Sequence, residues 1–187
     1  MTTVIVLTAA IFIVGILYSS VGHGGASGYL AVLALVTAMP QEEMKAIALT
    51  LNTVVGAIGS WRFIRAGHFD WRTFWPFAIA AVPLAFIGGL WNLPPMVFKP
   101  LIGLVLLYAA VALLLRVRVA RQPHANAART PQLPTTPIAM ATGGVLGLLA
   151  GLTGTGGGIF LSPLLLLTNW ASPQRTAAVT GGFVLVN

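Results

Sequence analysis

No cysteine occurs in the 187 residues, which excludes disulfides, thiolate nucleophiles and thiolate metal sites. Charge is almost as scarce. Only 7% of the residues are charged, against about 25% in a soluble domain, and three acidic residues stand against ten basic ones. A water-facing surface needs more charge than this to stay dissolved, so lipid must cover most of the chain. No Asp or Glu falls inside an apolar run, because Glu42 and Glu43 precede the second run and Asp70 lies in a basic loop. A carboxylate proton relay is therefore missing from this portion. Nucleophile–base pairs, acid dyads and metal-ligand spacings are missing too: His23, His68 and His124 fall in different settings, the last two in loops. The chain is read as no enzyme, and neither a cofactor nor a metal is expected. The start Met1-Thr2-Thr3 lacks the basic residues and cleavage site of a secretory signal, and is read as a retained membrane segment.

What the chain does have is hydrophobic residues, 57% of the total, and a net charge of +7. The basic residues are grouped. Arg62, Arg65 and Arg72 flank one gap between apolar runs, and Arg116, Arg118, Arg121 and Arg129 fill another. That grouping follows the positive-inside rule for cytoplasmic loops rather than the phosphate-neutralising stripe of a nucleic-acid binder, so no nucleic-acid partner is expected and the lipid bilayer is.

Crossing about 30 Å of hydrocarbon takes roughly 20 helical residues. Residues 4–38 form one apolar stretch interrupted at Ser19-Ser20-Val21-Gly22-His23-Gly24-Gly25, too long for one straight span, and are read as two short helices around a glycine break. Residues 47–64, 74–91 (containing Pro83) and 97–115 each fit one crossing, and Asn92-Leu93-Pro94-Pro95 stops a helix between the last two. Four prolines between 122 and 137 mark a polar linker. Beyond it, residues 138–168 are again apolar and glycine-broken, and a further run begins at 177. Trp61, Trp71, Trp75, Trp91 and Trp170 fall near predicted span ends and are read as interfacial anchors.

The two broken stretches superimpose. A shift of 132 positions sets Gly154 on Gly22, Gly147 on Gly15, Gly156 on Gly24, Gly157 on Gly25 and Ala178 on Ala46. The expected architecture is an all-α membrane protein of two homologous helical repeats, each opening with a glycine-broken hydrophobic segment. Residues 1–117 are the first repeat, 118–137 a basic, proline-rich cytoplasmic linker, and 138–187 the start of a second, incomplete repeat. The second copy has about 50 residues where the first uses 117, so a truncated product is expected.

The second break reads Gly154-Thr155-Gly156-Gly157-Gly158, followed by Leu161-Ser162-Pro163-Leu164 and then residues 177–180. This resembles the repeat of the sulfite exporter TauE/SafE family, and duplication, basic linker and helix spacing agree over essentially the whole chain. The first copy departs from the pattern, with His23 opposite Thr155, Ala26 opposite Gly158 and Ala31 opposite Pro163. The resemblance implies a multi-pass permease of the inner (plasma) membrane with two homologous halves, carrying sulfite, an organosulfonate or a related small oxyanion.

Non-helical backbone within hydrocarbon is tolerated only where it is buried in protein or lines a watery cavity. Broken helices at matching positions of two halves therefore point to a transport site, where free N–H groups and positive dipole ends suit an anion. Gly22, Gly24, Gly25, Gly154, Gly156 and Gly157 are the candidate nest of amides. Close helix packing on small residues is the competing reading. His23 is a candidate donor or proton acceptor inside the first break, and Thr153 and Thr155 offer hydroxyls in the second. Ser19, Ser20 and Ser27 could do the same in the first. Asn52, an amide at mid-segment, is a candidate path-lining residue. A P-loop is excluded because no Lys-Ser/Thr pair follows Gly158.

Placing both basic loops inside puts the turn at 39–45 outside. If each broken stretch is a hairpin, the repeats are inverted, a reading Arg175 favours; if each crosses once, they are parallel. The anion would bind between the breaks near the midplane and be exposed alternately by rocking of the halves. An anion channel and a non-transporting membrane interaction protein are the alternatives, and homo-oligomerisation stays open.

Overall fold

The structure, a computed structural model, describes residues 2–20, 23–91, 93–120 and 131–187. Among these the chain is all-helical: α1 (Thr2–Ser20), α2 (Ala26–Val36), α3 (Gln41–Arg65), α4 (Trp71–Leu90), α5 (Pro95–Ala120), α6 (Thr136–Thr153), α7 (Gly158–Leu167) and α8 (Pro173–Val186). The all-α expectation is met. By length and composition α3, α4 and α6 can cross a membrane, and shorter apolar helices lie within α1, α2, α5 and α7. Ile13, Leu35, Phe86, Leu104 and Val145 stand exposed, an ordinary surface when the solvent is lipid.

Helix boundaries follow local chemistry. The helix α3 starts at Gln41, ahead of the apolar run read from 47, because Pro40 sits at the N-cap with φ −59° and Glu42 and Glu43 occupy the positively polarised first turn. Glu42, Glu43 and Lys45 thus belong to a helix, not to the turn expected at 39–45. Asp70 caps α4 by accepting hydrogen bonds from the Arg72 amide (3.0 Å) and the Thr73 hydroxyl (2.9 Å). Pro95 opens α5, where its missing donor costs nothing, and both Pro76 and Pro83 lie inside α4. Of the expected linker only the ends are seen: residues 121–130, with Arg121, His124 and Arg129, lie outside the described residues, as does Asn92.

Three helix pairs set the geometry. Helices α1 and α2 run antiparallel, with Gly28 against Val14 and Tyr18, Gly15 against the Tyr29 hydroxyl, and Leu7 and Ile11 packed on the cluster that holds Leu30 and Leu33. Helices α4 and α6 run parallel. Gly143, Gly147 and Gly151 lie on the backbones of Phe77, Ala81 and Ala85, and Gly88 answers from α4 against Leu148. Glycine at every fourth position lets the two backbones touch, the small-xxx-small contact of membrane helices. Helices α3 and α8 run antiparallel, with Gly56 facing Val184 and Leu185 and Gly181 facing Ser60. A core of Phe74, Phe77, Leu161, Val179 and Phe183 ties α4, α7 and α8 together.

Four of the five tryptophans, Trp61, Trp71, Trp75 and Trp91, are exposed near helix ends. Trp170 differs: it is half-buried and packs 6.1 Å from Phe77, ring centre to ring centre.

Candidate functional site

Over the residues described in both, the two glycine breaks share a cap bond and a left-handed glycine before the next helix, and differ at Gly24 and Gly156, of which only Gly156 has a positive φ (+69°). His23 N–H donates to Tyr18 O (3.0 Å) and Thr155 N–H to Ala150 O (3.2 Å), the six-to-one bond of a Schellman cap in each case. Gly25 and Gly157 then hold the N-cap positions of α2 and α7 at φ +98° and +75°, a left-handed conformation that an L side chain resists. Each of these pairs is separated by the same 132 residues, as are the starts of α2 and α7 (Ala26, Gly158) and of α3 and α8 (Gln41, Pro173).

Asn52, 1% exposed and near the middle of α3, joins the breaks. Its Oδ1 accepts from Ala26 N–H at 3.1 Å, the first amide of α2. A Cβ at Gly24 would run into its side-chain oxygen, and one at Gly156 into its side-chain nitrogen. Glycine at 24 and 156 is therefore what lets an asparagine reach both turns of backbone at once.

Around this contact lies a small cavity with room of about 10 Å³, roughly one water. Tyr18, His23, Gly24, Gly25, Ala26 and Ser27 line it from the first break, Thr155, Gly158 and Ile159 from the second, and Asn52 and Val184 from α3 and α8. The Ser27 hydroxyl lies 3.4 Å from the Tyr18 hydroxyl, and the His23 ring stands edge-on to Tyr18, 6.3 Å between centres. The first-turn amides of Ser27 and Gly28 on α2, and of Gly158 and Ile159 on α7, have no hydrogen-bond acceptor among the described residues. The cavity is thus bordered by two helix N-termini with unspent donors, and both dipoles present positive ends.

Of the candidates named from sequence, the fold brings His23, Gly24, Gly25, Asn52 and Thr155 to the cavity wall. Gly156 touches Asn52 just behind it, and Gly157 packs on Phe183 and Ala150. Gly154 faces the stem of Lys45 instead. The Thr153 hydroxyl donates to Leu149 O (2.6 Å) and lies 2.9 Å from the Thr155 hydroxyl, so it touches the site only through Thr155. Gly22 lies outside the described residues. Tyr18, Val184 and Ile159 were not named. Val184 stands 132 positions after Asn52, so the repeat shift applied to Asn52 points to it; Tyr18 carried no signal beyond its distance from His23.

Short helices whose N-termini meet at a buried amide, set among helices long and apolar enough to cross a membrane, are the arrangement expected of a membrane transport protein. The family model described as "Sulfite exporter TauE/SafE" matches residues 7–187. The protein named "Probable membrane transporter protein y4hK" of Sinorhizobium fredii (strain NBRC 101917 / NGR234) is 39% identical over 186 residues, covering 100% of this chain and 74% of that protein. No solved structure matches the chain. The chain belongs to the sulfite exporter TauE/SafE family and is a membrane transporter.

Proposed function

We propose that the protein carries a small oxyanion, sulfite or an organosulfonate by preference, across the cell inner membrane, binding it between the two glycine breaks. The observation that carries this reading is the convergence of two unspent helix N-termini on one buried amide, Asn52. Helix α2 has 11 residues and α7 has 10, so each rises about 15 to 17 Å at about 1.5 Å per residue, close to half of a hydrocarbon layer about 30 Å thick. Such half-span helices put their N-termini at mid-depth. There an anion takes hydrogen bonds from the amides of Ser27, Gly28, Gly158 and Ile159 and from side chains of His23, Asn52 and Thr155, without any fixed cation at the centre.

The antiparallel course of α2 along α1 favours hairpin breaks and hence inverted repeats, with the 132-residue shift relating them. A cavity of one water is smaller than any oxyanion, which fits a closed resting arrangement. Opening requires α3 and α8, which pack through Gly56 and Gly181, to part on one side at a time. No covalent chemistry is involved.

The test is flux of sulfite, sulfate and an alkyl sulfonate in proteoliposomes, with His23→Ala and Gly156→Ala alongside. Saturable flux of at least one anion, weakened in both variants, is the expected result. Steady single-channel currents would replace the carrier with a channel, and no flux or binding of any anion would sink the reading.

A further inference from the structure

Lys45 sits in the second turn of α3 and is unlike every other cation described. Its Nζ is buried and has no hydrogen-bond partner, and no other lysine or arginine nitrogen among the described residues is in that state. The stem lies across the second break: a Cβ at Gly154 would come within 2.8 Å of Lys45 Cγ. The ammonium stands 5.0 Å from the ring centre of Phe98, the buried aromatic in the first turn of α5. A ring face helps a cation, but does not replace the hydrogen bonds that its three donors lose on leaving water. A buried charge in this condition is costly to keep, and ordinarily finds a carboxylate.

The chain holds three acidic residues, and none supplies that partner. Glu42, one turn earlier and exposed, lends its field to Lys45, but the Lys45 Nζ has no hydrogen bond to it. Glu43 is exposed, and Asp70 caps α4 and pairs with Arg175 near the far end of α3. Lys99 beside Phe98 is exposed and has the same sign.

Position gives the orphan ammonium its meaning. Residues seven apart share a helix face, so Lys45 and Asn52 look out from α3 in one direction, with the small, fully buried Ala48 between them. Both meet the same break, Lys45 at Gly154 and Asn52 at Gly156. They stand about 10 Å apart along the helix. We propose that Lys45 is a second anion-binding station, an unpaired ammonium that receives the oxyanion between the cavity at Asn52 and the end of the molecule where α2 turns into α3. This rests on the anion-transport reading above and adds to it the charged residue that the cavity itself lacks.

The test is Lys45→Met, whose unbranched side chain keeps the packing on Gly154 and Phe98 and removes only the charge. Sulfite flux is measured in proteoliposomes against concentration, beside the melting temperature in detergent. The expected result is a KM raised about tenfold or more, the scale of a lost charge-assisted hydrogen bond, with a melting temperature unchanged or higher. A residue that merely held the helices would show the opposite pattern, lower melting with KM kept, and that outcome overturns the proposal. If Lys45→Met does not fold, Lys45→Cys serves, since the chain has no other cysteine. Alkylation with bromoethylamine rebuilds a lysine analogue and should restore flux, whereas alkylation with bromoethanol should not. Equal recovery with both reagents would mean that volume, not charge, matters, and would end the proposal. Saturable sulfite flux indifferent to Lys45→Met overturns the Lys45 station alone; wild-type protein that moves no anion overturns the transport reading with it.

Discussion

The side chain of Asn52 fills the gap between Gly24 and Gly156, its oxygen too close to admit a Cβ at Gly24 and its nitrogen too close to admit one at Gly156. The oxygen is fixed by the Ala26 amide it accepts from. Asn52→Ala leaves that buried amide unpaired and should cost about 1–3 kcal/mol. Gly24→Ala should cost a comparable amount by driving a methyl into Asn52. Since one side chain is the source of both effects, the double variant should fall short of the summed losses by about 0.5–3 kcal/mol. Thermal unfolding of the four proteins in one detergent measures this, and additive losses would show that the wedge does not exist.

The seam between α4 and α6 offers a second test, because its glycines differ sharply in what surrounds them. Gly147→Ala puts a methyl on the backbone of Ala81, where no side chain can yield. A loss of about 1–3 kcal/mol is expected, with the helices pushed apart. Gly89 and Gly103 sit in helices with nothing within 4 Å of an added Cβ, so alanine there should be neutral or stabilising by up to about 1 kcal/mol. Melting temperatures that fail to separate Gly147→Ala from Gly89→Ala would argue against parallel, touching backbones.

Much of this fold is written locally. Apolar runs of span length, the Asn92-Leu93-Pro94-Pro95 stop and the glycine breaks each produce a helix boundary through a nearby cause, so α1, α2, α4, α6 and α7 follow from the chain with ends shifted by a few residues. The start of α3 was less legible, because Gln41, Glu42, Glu43 and Lys45 look like a solvated turn until Pro40 and the helix dipole are given weight. The meeting of the two breaks at Asn52 is a product of tertiary folding: periodicity marks 52 as inward, but not which turns of backbone it will face. Lys45 was missed for the same reason. A lysine near a helix start is normally exposed, and only the glycine at 154 and the phenylalanine at 98 make the space that buries its nitrogen.

The two threonines of the second break should behave differently although they touch. The single proton of the Thr153 hydroxyl is spent on Leu149 O at 2.6 Å, which leaves Thr155 to donate across the 2.9 Å gap to Thr153. An anion in the cavity would draw the Thr155 proton away from Thr153. Thr155→Val should therefore raise KM about three- to tenfold, the factor for a neutral hydrogen bond of about 0.5–1.5 kcal/mol. Thr153→Val frees the Thr155 proton for the anion, and KM should stay within about twofold of wild type or fall. Flux measured over a range of sulfite concentrations decides it; equal rises in both variants would remove Thr155 as a direct donor.

Asp70 and Arg175 stand 3.6 Å apart, joining the start of α4 to the start of α8, with the arginine 55% exposed and the aspartate 22%. The partners do unequal work. Asp70 also caps α4 through the Arg72 amide and the Thr73 hydroxyl, and an N-cap replaced by alanine costs about 0.5–2 kcal/mol. Arg175 contributes only its half of an exposed ion pair, which solvent screening reduces to about 0–1 kcal/mol. Asp70→Ala should therefore lower the melting temperature clearly, and Arg175→Ala should barely move it. Asp70→Asn keeps a capping oxygen and loses the charge, so it should resemble Arg175→Ala. If the arginine and aspartate variants instead melt at the same temperature, the ion pair rather than the cap holds the two helix starts together, and the loss should then shrink as salt is added.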